Sequence, residues 1–233
     1  MGIPREYFRD WSGALGREME TLRFGDAGLP VLVFPTSQGR FHQWEDFGMV
    51  EALADKIGDG HVQLWCVDSV DSESWYAQDR HPRERVLRHL DYERYLVDEL
   101  IPRMPSRPVT TGTSLGAFHA LLLALRQPWH VAGFVALSGA YDTDRWLDGY
   151  HDDVTYLTNP LAFLPGLSDE RYLGPIQAFD KKVIATGRDD ANAQESIRAG
   201  ELLRAKGVDV WLDVWDGWVH DWPFWRDMIR NYV

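Results

Sequence analysis

The run Val109-Thr110-Thr111-Gly112-Thr113-Ser114-Leu115-Gly116-Ala117-Phe118 constrains the fold of this chain more than any other. A β-favouring segment enters Gly112. An apolar helical pattern leaves Gly116, with Phe118, Leu121, Leu122 and Leu125 at i, i+3, i+4 and i+7. Ser114 therefore stands where a strand turns sharply into a helix, the G-x-S-x-G pattern of a nucleophile elbow. Glycines two residues either side of the serine let strand and helix backbones approach where a Cβ would not fit. Such a turn exposes the Ser114 hydroxyl and aims the Leu115 N–H at the same spot. An ordinary β-to-α turn would share the pattern, so the flanking chain must supply the distinction.

The flanks read as alternating strands and helices. Strands are expected over Glu18 to Phe24, Pro30 to Phe34, Val62 to Val67, Val109 to the elbow, Val131 to Leu137, Lys182 to Thr186 and Val208 to Val214. Helices are expected from Gln43 to Ile57, Pro82 to Arg103, through the elbow helix, Asn192 to Lys206 and Trp222 to Tyr232. Val31-Leu32-Val33-Phe34 is continuously apolar, as strands covered on both faces of a parallel sheet tend to be. This alternation predicts an α/β fold, a mostly parallel doubly wound sheet with helices on both faces. Between Ser138 and Gln177 the periodicity fades into aromatic residues, prolines and glycines, and residues 138–177 read as a short insertion covering the site. One domain over 1–233 is expected, since no linker or repeat divides the chain.

Composition narrows the partners. Lys+Arg 24 against Asp+Glu 36 leaves a formal charge of −12, which argues against nucleic acid or an anionic membrane. No apolar run approaches the length of a membrane span, about 20 residues. The N-terminal residues show no secretion signal, and the lone cysteine, Cys66, permits no intrachain disulfide, so a cytoplasmic location is expected. Cys66 lies in the apolar run Val62 to Val67 and reads as a small core residue.

A serine hydroxyl needs a base within hydrogen-bond reach and a third group that fixes the base. His220 is the expected base: of the 8 histidines, it alone follows the last strand, in a Gly-containing loop that opens the final helix. The orienting acid should follow the strand Lys182 to Thr186, where Gly187-Arg188-Asp189-Asp190 offers two adjacent carboxylates. Asp190 is favoured because it sits further along the loop; Asp189 stays open, and Asp142 is a more distant option. The oxyanion needs two preorganised donors. Leu115 N–H is one by position, and Ser37 N–H, with Gln38 next, is the expected second. Gln38, Tyr141, Trp218 and Trp222 are expected to line a substrate pocket rich in aromatic rings. His119, five positions past Ser114, reads as a supporting histidine, and His42 as a pocket-lining one. No histidine-carboxylate cluster stands at metal-ligand spacing, so no metal and no cofactor are expected.

Five separated pieces then resemble the esterase family of α/β-hydrolases that includes S-formylglutathione hydrolase (esterase D), the antigen 85 mycolyltransferases and feruloyl esterase domains. They are Asp91 to Pro102, Gly112 to Ala117, Ala136 to Asp142, Gly187 to Asp190 and Gly217 to Trp225, in that order. The resemblance implies the α/β-hydrolase fold and supports Asp190 as the acid, His220 as the base and the Ser37 amide as the second oxyanion donor. It implies a serine hydrolase that cleaves small-molecule carboxylic esters through an acyl-enzyme on Ser114. Two alternatives remain: an acyltransferase passing the same acyl group to an alcohol, and a binding protein that kept the fold and lost turnover.

Overall fold

The computed structural model describes residues 3–233. Eight strands form one sheet in the spatial order β1-β2-β4-β3-β5-β6-β7-β8. They are β1 Arg5–Ser12, β2 Arg17–Phe24, β3 Leu29–Phe34, β4 Val62–Val67, β5 Val109–Thr113, β6 Gly133–Leu137, β7 Lys181–Gly187 and β8 Trp211–Trp215. β1 pairs antiparallel with β2, and β2 antiparallel with β4; the six strands from β4 to β8 are parallel.

The helices are α1 Gln43–Asp46, α2 Met49–Ala52, α3 Ala54–Gly58, α4 Pro82–Tyr95, α5 Leu115–Arg126, α6 Asp153–Tyr156, α7 Pro160–Phe163, α8 Glu170–Gln177, α9 Ala193–Ala205 and α10 Trp222–Tyr232. Period-two alternation sends neighbouring strand residues to two separate cores. Leu32, Phe34, Phe134, Ala136 and Ile184 pack with α4, α5 and α9. Val31, Val33, Val135, Leu137, Val183 and Ala185 pack with α1 to α3 and α10. The helices after β3 and β5 therefore leave on opposite faces, and the loops there part at a topological switch point, where open α/β sheets hold their ligands.

Several elements differ from the sequence expectation. β1 went unforeseen: it is an edge strand whose side chains are mostly exposed, and it is tied to β2 by cross-strand pairs such as Tyr7 with Glu20 and Arg23 with Glu6, each at 2.6 Å. It buries no apolar face that periodicity could reveal. The helix expected over 43–57 is three short helices, because Gly48 adopts φ +74 and ends the first. The helix expected to Arg103 widens into a π-helical segment at Leu96–Leu100 and closes as a 3-10 turn at Ile101–Arg103. Pro102 has no N–H for an α-helical bond and would press on the carbonyl four residues earlier. α5 is buried all round from Leu115 to Leu125 rather than along one stripe, because α4 and α8 cover the side facing away from the sheet.

Residues 138–177 fold as short helices and turns, with α6 against α4, α7 against α9 and α8 against α5. Phe163, Leu164 and Ile176 join the core on that face. This packing draws the insertion along the helical layer, and the residues lining the cavity above Ser114 come from other segments. Among the described residues no helix is long and apolar enough to cross a membrane.

Candidate active site

The elbow is built by contact between backbones. A Cβ on Gly112 would lie 2.4 Å from the Gly116 carbonyl carbon, and one on Gly116 would lie 2.5 Å from the Phe34 oxygen and 2.6 Å from the Pro35 oxygen. Only glycine at both positions lets β5, α5 and the end of β3 meet here. Ser114 itself takes φ 58, ψ −122, a region that non-glycine residues rarely adopt and that the surrounding packing must enforce. The strained turn lifts the Ser114 side chain into a cavity of about 260 Å³ lined by Thr36, Ser37, Ser114, His220, Asp221, Trp222 and Trp225.

His220 approaches from the β8–α10 loop. Its Nε2 lies 2.9 Å from Ser114 Oγ, and its Nδ1 lies 3.0 and 3.1 Å from the two carboxylate oxygens of Asp190. Asp221 caps α10 through the Trp222 N–H at 2.7 Å and so places His220 just outside the helix. The loops after β7 and β8 touch at Gly187, where a Cβ would stand 2.0 Å from the Trp218 carbonyl oxygen. That close approach brings carboxylate and imidazole together.

Asp190 and Asp189, adjacent in sequence, part in space. The Asp190 side chain is fully buried against His220, whereas Asp189 points to solvent. Burial would push the Asp190 carboxyl up, but hydrogen bonds from His220, the Asn192 N–H and Ser138 outweigh it and hold the carboxyl below its ordinary value. Asp142 lies elsewhere, capping the turn at Asp144 and accepting from Asn159. His42 pairs with Asp46 at 2.6 Å and does not line the cavity.

Two backbone amides adjoin Ser114: that of Leu115, next in the chain, and that of Ser37, which lines the same cavity. Leu115 opens α5, and its N–H has no backbone acceptor among the described residues. In the loop after β3, the Thr36 N–H donates to Gln43 Oε1 at 2.8 Å and the Gln38 N–H to Asp71 Oδ2 at 3.1 Å, while the Ser37 N–H between them has no acceptor among the described residues. Gln38 N–H is thus engaged away from the cavity, and of the three amides from Thr36 to Gln38 only that of Ser37 has no acceptor among the described residues.

The expected pocket residues separate. Trp222 lines the cavity, stacked on Phe47 with ring centroids 4.5 Å apart. Trp218 packs between Trp215 and Phe224, outside the lining. Tyr141 does not reach the cavity: it is fully buried, its ring under Gly139, because the residues after β6 turn into the core rather than over the edge. The Gln38 side chain is exposed beside Ser37.

Other residues contribute that the sequence reading did not single out. Trp225 donates from Nε1 to Ser138 Oγ at 2.9 Å and presents its ring to the His220 imidazole at 4.8 Å and 88°. One side chain thus buttresses both the His220 imidazole and the hydroxyl beside Asp190. Asn192 donates from its backbone to Asp190 at 2.7 Å and from its side chain to the Ser138 carbonyl at 3.0 Å. Ser138 and Trp225 fall inside the resembling segments, but nothing in their spacing shows that they meet. Among the described residues no cluster of three or more His, Cys, Asp or Glu could hold a metal ion.

No family model matches this chain. No curated protein matches it either. Solved structures do. A ferulic acid esterase aligns over 99% of this chain and 96% of its own at TM-score 0.78 and 14% identity. An S-formylglutathione hydrolase from Agrobacterium tumefaciens aligns over 99% and 93% at TM-score 0.75 and 13% identity. FphF, a fluorophosphonate-binding serine hydrolase of Staphylococcus aureus, aligns over 99% and 97% at TM-score 0.70 and 15% identity. With sheet order, two-faced helical layers and full-length superposition in agreement, the chain has the α/β-hydrolase fold.

Proposed function

We propose that this protein is a serine hydrolase that cleaves carboxylic esters through an acyl-enzyme on Ser114. The observation that carries this reading is the single imidazole of His220, which spans from Ser114 Oγ at 2.9 Å to the Asp190 carboxylate at 3.0 Å. Esterases of the same fold support it.

His220 Nε2 takes the Ser114 proton as Oγ attacks the ester carbonyl carbon, and the carbonyl π bond opens onto oxygen. The imidazolium donates Nδ1–H to Asp190, which stays ionised and holds the ring in place. The oxyanion accepts from the Leu115 and Ser37 N–H groups, each worth about 3–4 kcal/mol in the transition state. Collapse expels the alkoxide, and His220 returns its proton to the leaving oxygen. Water then attacks the acyl-serine with His220 again as base, releasing the acid and restoring Ser114.

Hydrolysis and transfer to an acceptor alcohol share this acyl-serine, and product analysis with an added alcohol separates them. The Trp222 ring, backed by Phe47, offers a flat apolar surface to the cavity. The whole chain acts as one catalytic domain in this reading, and its lone buried cysteine suits a reducing compartment.

A fluorophosphonate labels Ser114 stoichiometrically and a p-nitrophenyl ester series is turned over, while Ser114→Ala does neither. Labelling at another residue, or turnover that survives the substitution, refutes the assignment.

A further inference from the structure

Beside the loop after β3 lies a fully buried histidine-carboxylate pair that the reaction scheme leaves unused. His119 Nε2 and Asp71 Oδ1 are 2.9 Å apart, with side chains 3% and 0% exposed. The other Asp71 oxygen, Oδ2, accepts the Gln38 N–H at 3.1 Å. Asp71 therefore joins the loop after β3 to α5, the helix that begins with Leu115 and carries His119 on its second turn.

We propose that Asp71 and His119 are positioning residues that aim the Ser37 N–H into the oxyanion hole, an inference that rests on the esterase reading above. An amide can serve as a preorganised donor only if the peptide planes around it are fixed. Here Gln43 holds the Thr36 N–H and Asp71 holds the Gln38 N–H, one on each side of Ser37. Gln38 sits at φ +54, a left-handed conformation that a non-glycine residue keeps only when something outside it compensates. The carboxylate supplies that compensation with a charge-assisted hydrogen bond.

The loop is also closed on itself by a turn, in which the Gly39 N–H donates to the Thr36 carbonyl at 2.8 Å and so fixes the far side of the peptide that carries the Ser37 N–H, and the residues after β4 bind it further along. Ser69 Oγ donates to the Gly39 carbonyl at 2.9 Å, and Arg40 Nε to Asp68 Oδ1 at 2.7 Å. The Ser69 and Arg40 bonds lie beyond the peptides that flank Ser37, and the turn bond leaves the Gln38 N–H to Asp71, which ties the turn to the core. His119 in turn cannot swing: its ring lies near-parallel to His89 at 5.3 Å and against Phe34 at 5.7 Å. A buried pair of this kind adds little to stability compared with well-packed apolar residues, so stability alone does not account for it. Its geometry gives it work to do on the loop: it links one oxyanion donor to the helix that bears the other.

The test compares Asp71→Asn, His119→Leu and His119→Gln with wild type, reading kcat and KM on p-nitrophenyl acetate and the affinity of phenylboronic acid, whose tetrahedral adduct on Ser114 places an oxygen where the oxyanion forms. Asp71→Asn and His119→Leu are expected to lower kcat about 10- to 100-fold, part of the loss seen when a whole oxyanion donor is removed. KM should stay within about three-fold, and boronate affinity should fall by the same factor as kcat. His119→Gln, whose amide can donate to Asp71, should recover most of that loss. A folded Asp71→Asn or His119→Leu protein with kcat within about two-fold of wild type overturns the proposal, and so does a kcat loss with boronate affinity unchanged. If His119→Leu does not fold, Asp71→Asn and His119→Gln decide the question by the same criteria. Wild-type protein that neither turns over the ester nor binds the boronate overturns the esterase reading and this one together; an active wild type with unaffected variants overturns this one alone.

Discussion

Two histidine pairs with a fully buried carboxylate stand within one molecule at almost the same separation, His220 with Asp190 at 3.0 Å and His119 with Asp71 at 2.9 Å. Their surroundings make them different instruments. The His220 side chain is 29% exposed at the carboxyl edge of the sheet, and its second nitrogen meets Ser114 Oγ. The His119 side chain is enclosed by Phe34, His89 and Tyr92, and its second nitrogen, Nδ1, meets no hydrogen-bonding partner among the described residues. In the reading proposed above, the first pair exchanges a proton with the reacting group. The second can only hold what Asp71 holds. A pair's distance therefore says little about its task; what lies at the far nitrogen decides it.

Breaking the first pair should have the largest effect. Asp190→Asn is expected to lower kcat about 10³- to 10⁴-fold, because the amide can no longer fix the Nδ1–H tautomer or stabilise the imidazolium. Asp189→Asn, on the exposed neighbour, should leave kcat within about two-fold, and steady-state kinetics on one ester compares them directly. Reversed outcomes would transfer the acid's role to Asp189.

A smaller effect is expected from the buttress of the same pair. Trp225→Phe keeps a ring against His220 but removes the Nε1–H bond to Ser138. A hydrogen bond of about 1 kcal/mol corresponds to about a five-fold drop in kcat, with KM nearly constant. A change confined to KM would mean that Trp225 serves the cavity wall and not the base.

The buried side of the comparison is sharpened by pH. Burial, reinforced by His119 and Arg126, pushes the His89 imidazole well below its ordinary value. Above the unfolded-chain value of about 6.5 both states are neutral there, and no stability depends on it. Below it the unfolded chain takes up a proton that the folded protein refuses, so stability falls by about 1.4 kcal/mol per pH unit until the folded value is reached. Urea unfolding of wild type and His89→Phe between pH 7 and pH 5 should show a weaker acid loss in the variant; parallel curves would place the proton uptake elsewhere.

The least perturbation is expected at Cys66. Burial raises its thiol pKa far above neutral, and the native protein should resist a thiol reagent that reacts fully after denaturation. Rapid native labelling would mean that β4 opens readily.

The local codes of this fold were legible along the chain. Continuous apolar runs marked the covered strands, and the glycines of the elbow marked a turn where any Cβ would stand 2.4 to 2.5 Å from neighbouring backbone. Loops following strands marked where Ser114, Asp190 and His220 would lie. Such features depend on a residue and its near neighbours, so sequence carries them. The edge strand β1 was not legible, because its pairing with β2 rests on exposed cross-strand contacts rather than on a buried face.

Tertiary structure alone decided the rest. It separated Asp190 from Asp189, put Tyr141 in the core and Trp222 at the cavity, and brought Asp71 from the loop after β4 between Gln38 and His119. Each of these outcomes depends on the spacing and order of strands, which bring together residues 33, 48 or 106 positions apart. Short-range patterns set what each segment becomes, whereas long-range packing sets which side chains meet, and chemistry depends on the meeting.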